Sequence, residues 1–374
     1  MPEPVIVVGG GLGGLSAAIH LAAAGRPVTV LEQASQVGGK MSELRQDGYR
    51  WDTGPTVITL RPVLEALFET AGRRLEDYLT LVPIDPLTRY HYPDGTVLDV
   101  RASLAEMIAN LEALPQAGGA PTDGTSANVG GYLSFLAYAA QMYRITAPIV
   151  LYGDPPTLGS ILRLPPADLL RVDAWRTMDR AIRAHVRSPY LRQLYNRYAT
   201  YLGASPYRAR AFLNVISHVE LTAGLWYPRG GTSAIARAYR RLAEELGVKV
   251  QTGARVTRVL VKGEGRGCTA TGVELAGGTQ VRADAVVAGV DATTVYHDLL
   301  PEMQASRRLR RWTEAPFSCS GFVLFLAVEA EHPRLTHHNI FFTSDYRAEF
   351  GSTFDRGVPY EEPTIYVAIT AKSD

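Results

Sequence analysis

The stretch Pro4-Val5-Ile6-Val7-Val8-Gly9-Gly10-Gly11-Leu12-Gly13-Gly14, continued by Pro27-Val28-Thr29-Val30-Leu31-Glu32, decides the fold. Val5 to Val8 is a short β-branched run suited to a buried parallel strand. Gly13 to Ala24 places Leu15, Ala18, Ile19 and Ala22 at helical spacing, with Gly25 as the C-terminal cap. Pro27 to Leu31 is the second strand, so the first thirty residues read as a βαβ unit. Gly9, Gly11 and Gly14 form G-x-G-x-x-G, with Gly13 inside the same turn. Gly9 permits the tight exit from the strand, Gly11 admits a diphosphate close to the backbone, and Gly14 lets helix and strand pack tightly. The helix start offers free N–H groups and a positive dipole end to phosphate. Glu32 ends the second strand, 18 residues past Gly14, where a carboxylate accepts hydrogen bonds from ribose hydroxyls and repels a 2′-phosphate. NADP is therefore disfavoured, while these residues alone leave FAD and NAD open.

The rest of the chain narrows the class. It has 374 residues, with 38 basic against 37 acidic side chains, a balance that argues against a nucleic-acid binder held by a basic field. Pro4 to Gly25 lacks Asp, Glu, Lys and Arg, but five glycines between Gly9 and Gly14 and an acidic start exclude a signal peptide or membrane span. Two cysteines, Cys268 and Cys319, make no metal-type pair, and no metal site is expected. Thr88–Tyr92 and Thr96–Val100 flank a Pro93-Asp94-Gly95 turn, and Ser103 with Glu106 caps a helix reaching Leu114. Residues 115–131 read as a loop, and helical patterns dominate 132–216. A helix over 233–246 and strands over 248–252, 255–261 and 285–288 return to βα alternation. Strands are expected at 321–328, 340–342 and 364–369, and His337-His338 reads as a solvated loop pair. Neither G-x-S-x-G nor H-E-x-x-H is present.

Further stretches carry a resemblance. Gly38-Gly39-Lys40 and Gly48-Tyr49-Arg50-Trp51-Asp52-Thr53-Gly54-Pro55 follow Glu32. Trp226-Tyr227-Pro228-Arg229-Gly230-Gly231 precedes Arg255-Val256-Thr257-Arg258-Val259, and Asp284 to Asp291 leads to Leu299-Leu300-Pro301. Together with the glycine turn these resemble the carotenoid and phytoene desaturases of the flavin-dependent amine oxidase superfamily. That resemblance implies FAD, with Gly38, Gly39 and Lys40 beside the diphosphate and ribityl chain. It places Thr53, Gly54, Pro55 and Thr56 near the isoalloxazine and the Val256 backbone at the adenine. It implies an α/β fold: a discontinuous Rossmann-like FAD-binding domain (1–60 and 218–295), an inserted helical, membrane-associating region (103–217) and a mixed-sheet substrate domain (61–102 and 296–374). Family members usually continue well beyond this point, so the substrate domain is expected to be incomplete and the last FAD-binding segment missing.

The resemblance further implies desaturation of a C40 carotenoid, phytoene or a hydroxylated relative, by hydride transfer to the flavin and proton loss. No side chain supplies a two-electron acceptor, so the flavin carries the chemistry while the protein orients substrate and excludes water. Arg163 matches a basic residue that the family places near the reacting end, although Ser160 stands where the accompanying acid is expected. Oxygen or a quinone would accept the electrons. A forty-carbon hydrocarbon costs on the order of 30 kcal/mol to move through water, which implies direct transfer from a membrane and a cytoplasmic enzyme bound to its inner face. Leu133, Phe135, Met142, Ile145, Val150, Leu151 and Tyr152 suit such docking, or else form the core of a helical subdomain. His218-Val219-Glu220 either faces the substrate channel or makes a structural hydrogen bond. The alternatives are a carotenoid isomerase or ketolase on the same site, or a non-enzymatic prenyl-binding carrier of the GDP-dissociation-inhibitor type.

Overall fold

The structure is a computed structural model that describes residues 4–115, 127–153, 157, 159, 164–263, 268–300 and 318–374. Two compact units divide the chain: Met1–Val82 with Trp226–Pro316 and Ser373–Asp374, and Pro83–Leu225 with Phe317–Lys372.

The first unit is built on a parallel sheet. Strand β1 (Val5–Val8) lies between β2 (Val28–Leu31) and Ala285–Ala288, with Lys249–Gln251 beyond β2. The registers pair Val5 with Val28 and with Ala285, and Thr29 with Lys249. All four residues of β1 and of β2 are buried, as strands covered on both faces require. Helix α1 (Leu12–Ala23) buries Leu15, Ala18 and Ile19 in one core with Val7, Val30, Phe68, Ile235 and Leu242. Phe68 lies on the helix Arg61–Thr70 and meets the Tyr239 ring edge-on, centroids 5.9 Å apart. That contact gathers 61–82 into this unit, where the sequence reading ends the dinucleotide-binding segment at residue 60. Ile6, Val8, Leu31, Val256, Val259 and Val273 make a second core under the three-stranded sheet of Val256–Lys262, Thr269–Leu275 and Gln280–Arg282.

In the second unit, the mixed sheet runs Ile365–Ala368, His338–Phe341, Thr88–His91, Val97–Val100. Its middle pair is parallel, with Ile340 opposite Tyr90, so Tyr90, Ile340 and their second neighbours share a face. The helix Ala127–Val150 packs Tyr132, Phe135, Met142 and Ile145 inward, with the Phe135 and Tyr195 rings 4.0 Å apart. These residues are core, whereas Val150, Leu151 and Tyr152 at the helix end are exposed. Among the described residues, no helix is long and apolar enough to cross a membrane.

Three expectations change. The helix Ala127–Val150 begins inside the stretch read as a loop, because Asn128 donates from its amide to the carbonyls of Leu111 and Leu114 and anchors that first turn. Residues 321–328 carry no strand and are exposed, Phe322 by 90 %. An apolar run makes a strand only where a ladder partner accepts it. His337 and His338 are buried, not solvated: the strand His338–Phe341 joins the sheet there, and the Nδ1 of His338 lies 2.7 Å from the Tyr366 hydroxyl.

Candidate functional site

The glycine turn is shaped by contacts that a side chain would destroy. A Cβ on Gly14 would lie 2.0 Å from the Gly9 carbonyl oxygen, so only glycine lets α1 start this close to β1. Gly9 itself has φ +99°, in the region that favours glycine. Above the turn there is space. A Cβ on Gly13 would meet nothing within 4 Å, and one on Gly11 only the Gly39 Cα at 4.0 Å. Among the described residues no side chain caps α1 and no acid sits in its first turn. Uncapped N–H groups facing open space fit a diphosphate.

Glu32 is buried and braces this turn. One carboxylate oxygen accepts from the Gly10 N–H at 2.6 Å, the other from the Ala34 N–H at 2.8 Å. The expected ribose contact therefore rests on the remaining lone pairs of an oxygen set already committed to the backbone. Main-chain bonds from Gly253 to Ala34 (2.9 Å) and from Ala254 to Glu32 (2.8 Å) bring the segment leading into Val256 alongside. Val256 lies in one core with Ile6, Val8 and Leu31, and its backbone runs in an edge strand of its sheet.

Gly38 donates its N–H to the Gly10 carbonyl at 2.9 Å, and a bridge joins Gly11 to Gly38. Gly38, Gly39 and Lys40 thus border the turn. Lys40 is exposed and its charge reaches Asp291; hydrogen bonds from Thr293 hold the Asp291 carboxyl below the usual carboxylate range, and Lys40 lowers it further. The Gly54-Pro55-Thr56 segment meets this loop directly: a Cβ on Gly54 would lie 1.8 Å from the Lys40 carbonyl oxygen. All cofactor residues expected from the sequence, from Gly9 to Val256, fall in one unit and along one connected path of backbone. Arg163 lies outside the described residues, as does Ser160.

Sequence reasoning missed the role of Asp52 in this unit. Asp52 accepts from the Tyr227 hydroxyl at 2.6 Å and from the Thr232 N–H at 3.0 Å, which ties the strand Tyr49–Asp52 to the start of the helix Ser233–Glu245. The only available signal was its place inside the Gly48–Pro55 block. Among the described residues no group of His, Cys, Asp or Glu could hold a metal.

The second unit holds a separate polar cluster. The Arg197 guanidinium donates to Glu220 Oε1 at 3.1 Å, and the Tyr198 hydroxyl donates to the same oxygen at 3.1 Å. The Tyr201 hydroxyl donates to Glu220 Oε2, and the Arg197 guanidinium carbon stands 4.5 Å from the Tyr198 ring centre. Glu220 has its side chain 1 % exposed and Arg197 10 %, so this is a buried ion pair completed by two phenols. Of the His218-Val219-Glu220 run, Glu220 takes the structural role, and the His218 ring packs at 4.8 Å from that of Tyr143. Sequence reasoning missed Arg197, whose only mark was the Arg-Tyr-x-x-Tyr spacing of residues 197–201.

A parallel sheet, a glycine turn without a side-chain cap and a carboxylate at the second strand end define a dinucleotide-binding fold. Comparison with known proteins makes the class specific. Residues 12–332 match the family of flavin containing amine oxidoreductases. The chain is 34 % identical over 374 residues to a 4,4′-diapolycopene oxygenase of Methylomonas sp., and 33 % identical over 377 residues to a 4,4′-diaponeurosporene oxygenase of Staphylococcus aureus. All of this chain is covered in both, and 72 % and 73 % of those proteins. The solved structure of a putrescine oxidase bound to putrescine superposes with a TM-score of 0.52 at 18 % identity, over 80 % of this chain and 60 % of that one, a likeness of fold. The chain belongs to the flavin containing amine oxidoreductase family, and it is an FAD-dependent oxidoreductase of α/β Rossmann-like fold.

Proposed function

We propose that this protein oxidises a carotenoid-type polyene, with oxygenation at the end of an acyclic chain as the reaction. The two similar oxygenases of this length and identity are the observation that carries the reading. Desaturation of C40 phytoene, the reaction implied by the first resemblance, is the competing outcome on the same site. FAD supplies a two-electron acceptor when bound.

The chain's own part is to hold and orient. The N–H groups at Leu12 to Gly14 would hold the diphosphate, Glu32 the ribose and the backbone at Val256 the adenine, with Gly38–Lys40 and Gly54–Thr56 flanking the remainder. Glycines leave the space above the turn open, so a dinucleotide there would be read by main chain and shape. A hydrocarbon polyene has no polar atoms, and its transfer through water is prohibitive, so a docked position on the inner membrane face belongs to the same proposal, with oxygen or a quinone as final acceptor. The exposed Val150, Leu151 and Tyr152 support it.

The test is expression in a carotenoid-accumulating host with pigment masses read out. A gain of oxygen is expected. A loss of two hydrogens would replace the reaction with desaturation, and an unchanged mass at altered geometry with isomerisation. Unchanged pigment from a protein that purifies with flavin would end the polyene reading, and binding of prenyl groups without flavin would favour a carrier.

A further inference from the structure

Against one face of the sheet in the second unit lie three buried polar atoms without a hydrogen-bond partner of good geometry, the Tyr90 hydroxyl, the Arg197 Nε and the His338 Nε2, with only weak side-chain hydrogen bonding from Tyr90 to Arg197 and Thr88. Tyr90 and His338 are fully buried. Ile340 is the register partner of Tyr90, and His338 stands two residues before it, so both side chains leave the same face. The Arg197 guanidinium carbon lies 5.5 Å from the Tyr90 ring centre. It also lies within electrostatic reach of His338, whose proton affinity is depressed, first by burial and then by the charges of His337 and Arg197. A buried polar group without a partner is costly, so a ligand atom that served these three would be favoured there.

The chemistry of the set selects its ligand. Glu220 already balances the Arg197 charge and accepts two phenols as well, so no anion is called for. The Tyr366 hydroxyl and His338 Nδ1 can share their hydrogen bond in either direction; in the tautomer where the hydroxyl donates, the neutral His338 ring carries its proton on Nε2. Arg197 Nε–H and His338 Nε2–H then only donate, and the Tyr90 hydroxyl is free to donate. The surrounding rings of Tyr92, Tyr195, Phe342 and Tyr346 are buried and apolar in body. We propose that Tyr90, Arg197 and His338 form a subsite for a neutral carbonyl oxygen at the end of an otherwise apolar substrate. This inference rests on the polyene reading and deepens it: the enzyme recognises a chain end that is already oxidised to an aldehyde. A reaction that places oxygen on the hydrocarbon must therefore supply its best ligand.

The experiment uses the full chain with its flavin. Binding of an acyclic polyene aldehyde and of the hydrocarbon of equal length, each presented in detergent micelles, is followed by quenching of tryptophan fluorescence. The wild type is expected to bind the aldehyde about 10-fold or more tighter than the hydrocarbon. Tyr90→Phe removes one oxygen atom and keeps the ring, and it should weaken aldehyde binding roughly 5- to 10-fold while hydrocarbon binding stays within about 2-fold. His338→Leu should do the same, and His338→Gln, whose amide can donate, should recover part of the loss. Equal affinity of the wild type for both ligands, or equal weakening of both by Tyr90→Phe, would overturn the subsite and assign the three groups to an internal water. Should the wild type bind neither ligand, the polyene reading itself fails and takes this inference with it.

Discussion

The dinucleotide cradle and the Arg197 cluster solve opposite problems. Around Gly9–Gly14 the site is main chain: N–H groups and space, braced by the Glu32 carboxylate and by the Gly38 backbone. Around Arg197 the site is side chains: a buried guanidinium, a carboxylate and three phenols drawn from the strand Thr88–His91, residues 197–201 and the helix Val215–Ala223. A backbone site is sensitive to an added atom, because nothing in it can move aside. A side-chain site is sensitive to a removed one, because each charge is buried against its partner.

That contrast is tested first by Glu220→Leu. It strands the Arg197 charge and two hydroxyls, and a loss of about 4 kcal/mol in unfolding free energy is expected from chemical denaturation. Combining it with Arg197→Met should recover much of the loss, and a double variant worse than the single would contradict the ion-pair account. In the cradle, Gly14→Ala should cost about 3 kcal/mol as α1 is pushed off β1, with loss of flavin absorbance from the purified protein. Full flavin content in that variant would show that the close approach is not needed.

Acid sharpens the comparison, because it acts on the second unit. Burial lowers the His337 pKa from 6.5 to about 4. The native state thus binds fewer protons than the unfolded chain between those values, and stability falls as pH drops from about 6.5 toward 4. The expected loss from this group is about 2–3 kcal/mol, read as a lower thermal midpoint at pH 4.5 than at pH 7, and His337→Gln should remove that part of the slope. The smallest effect is Glu32→Gln. Its amide nitrogen must face either the Gly10 or the Ala34 N–H, which costs about 1 kcal/mol of stability and weakens flavin binding about 10-fold. An unchanged flavin affinity would mean that Glu32 braces the turn without touching the ribose.

The two regions also differ in how far the sequence reveals them. Gly9, Gly11, Gly14 and Glu32 are legible because a backbone requirement imposes residue type at fixed spacing, and β1, α1 and β2 are local to it. The sheet of the second unit was half legible: the Pro93-Asp94-Gly95 turn announced Thr88–His91 and Val97–Val100, yet their parallel partner comes from His338–Phe341. Long-range pairing leaves no local trace, which is why His337-His338 read as solvated and 321–328 as a strand. Arg197 and Glu220, 23 residues apart, meet through packing alone.

The most direct measurement compares FAD with FMN and NAD for binding to the flavin-free chain by calorimetry. The cradle, the brace at Glu32 and the edge at Val256 all address the diphosphate and adenosine, so FAD should bind at least about 100-fold tighter than FMN, which lacks them, and FAD should outcompete NAD. Equal affinity for FMN, or preference for NAD, would contradict the account.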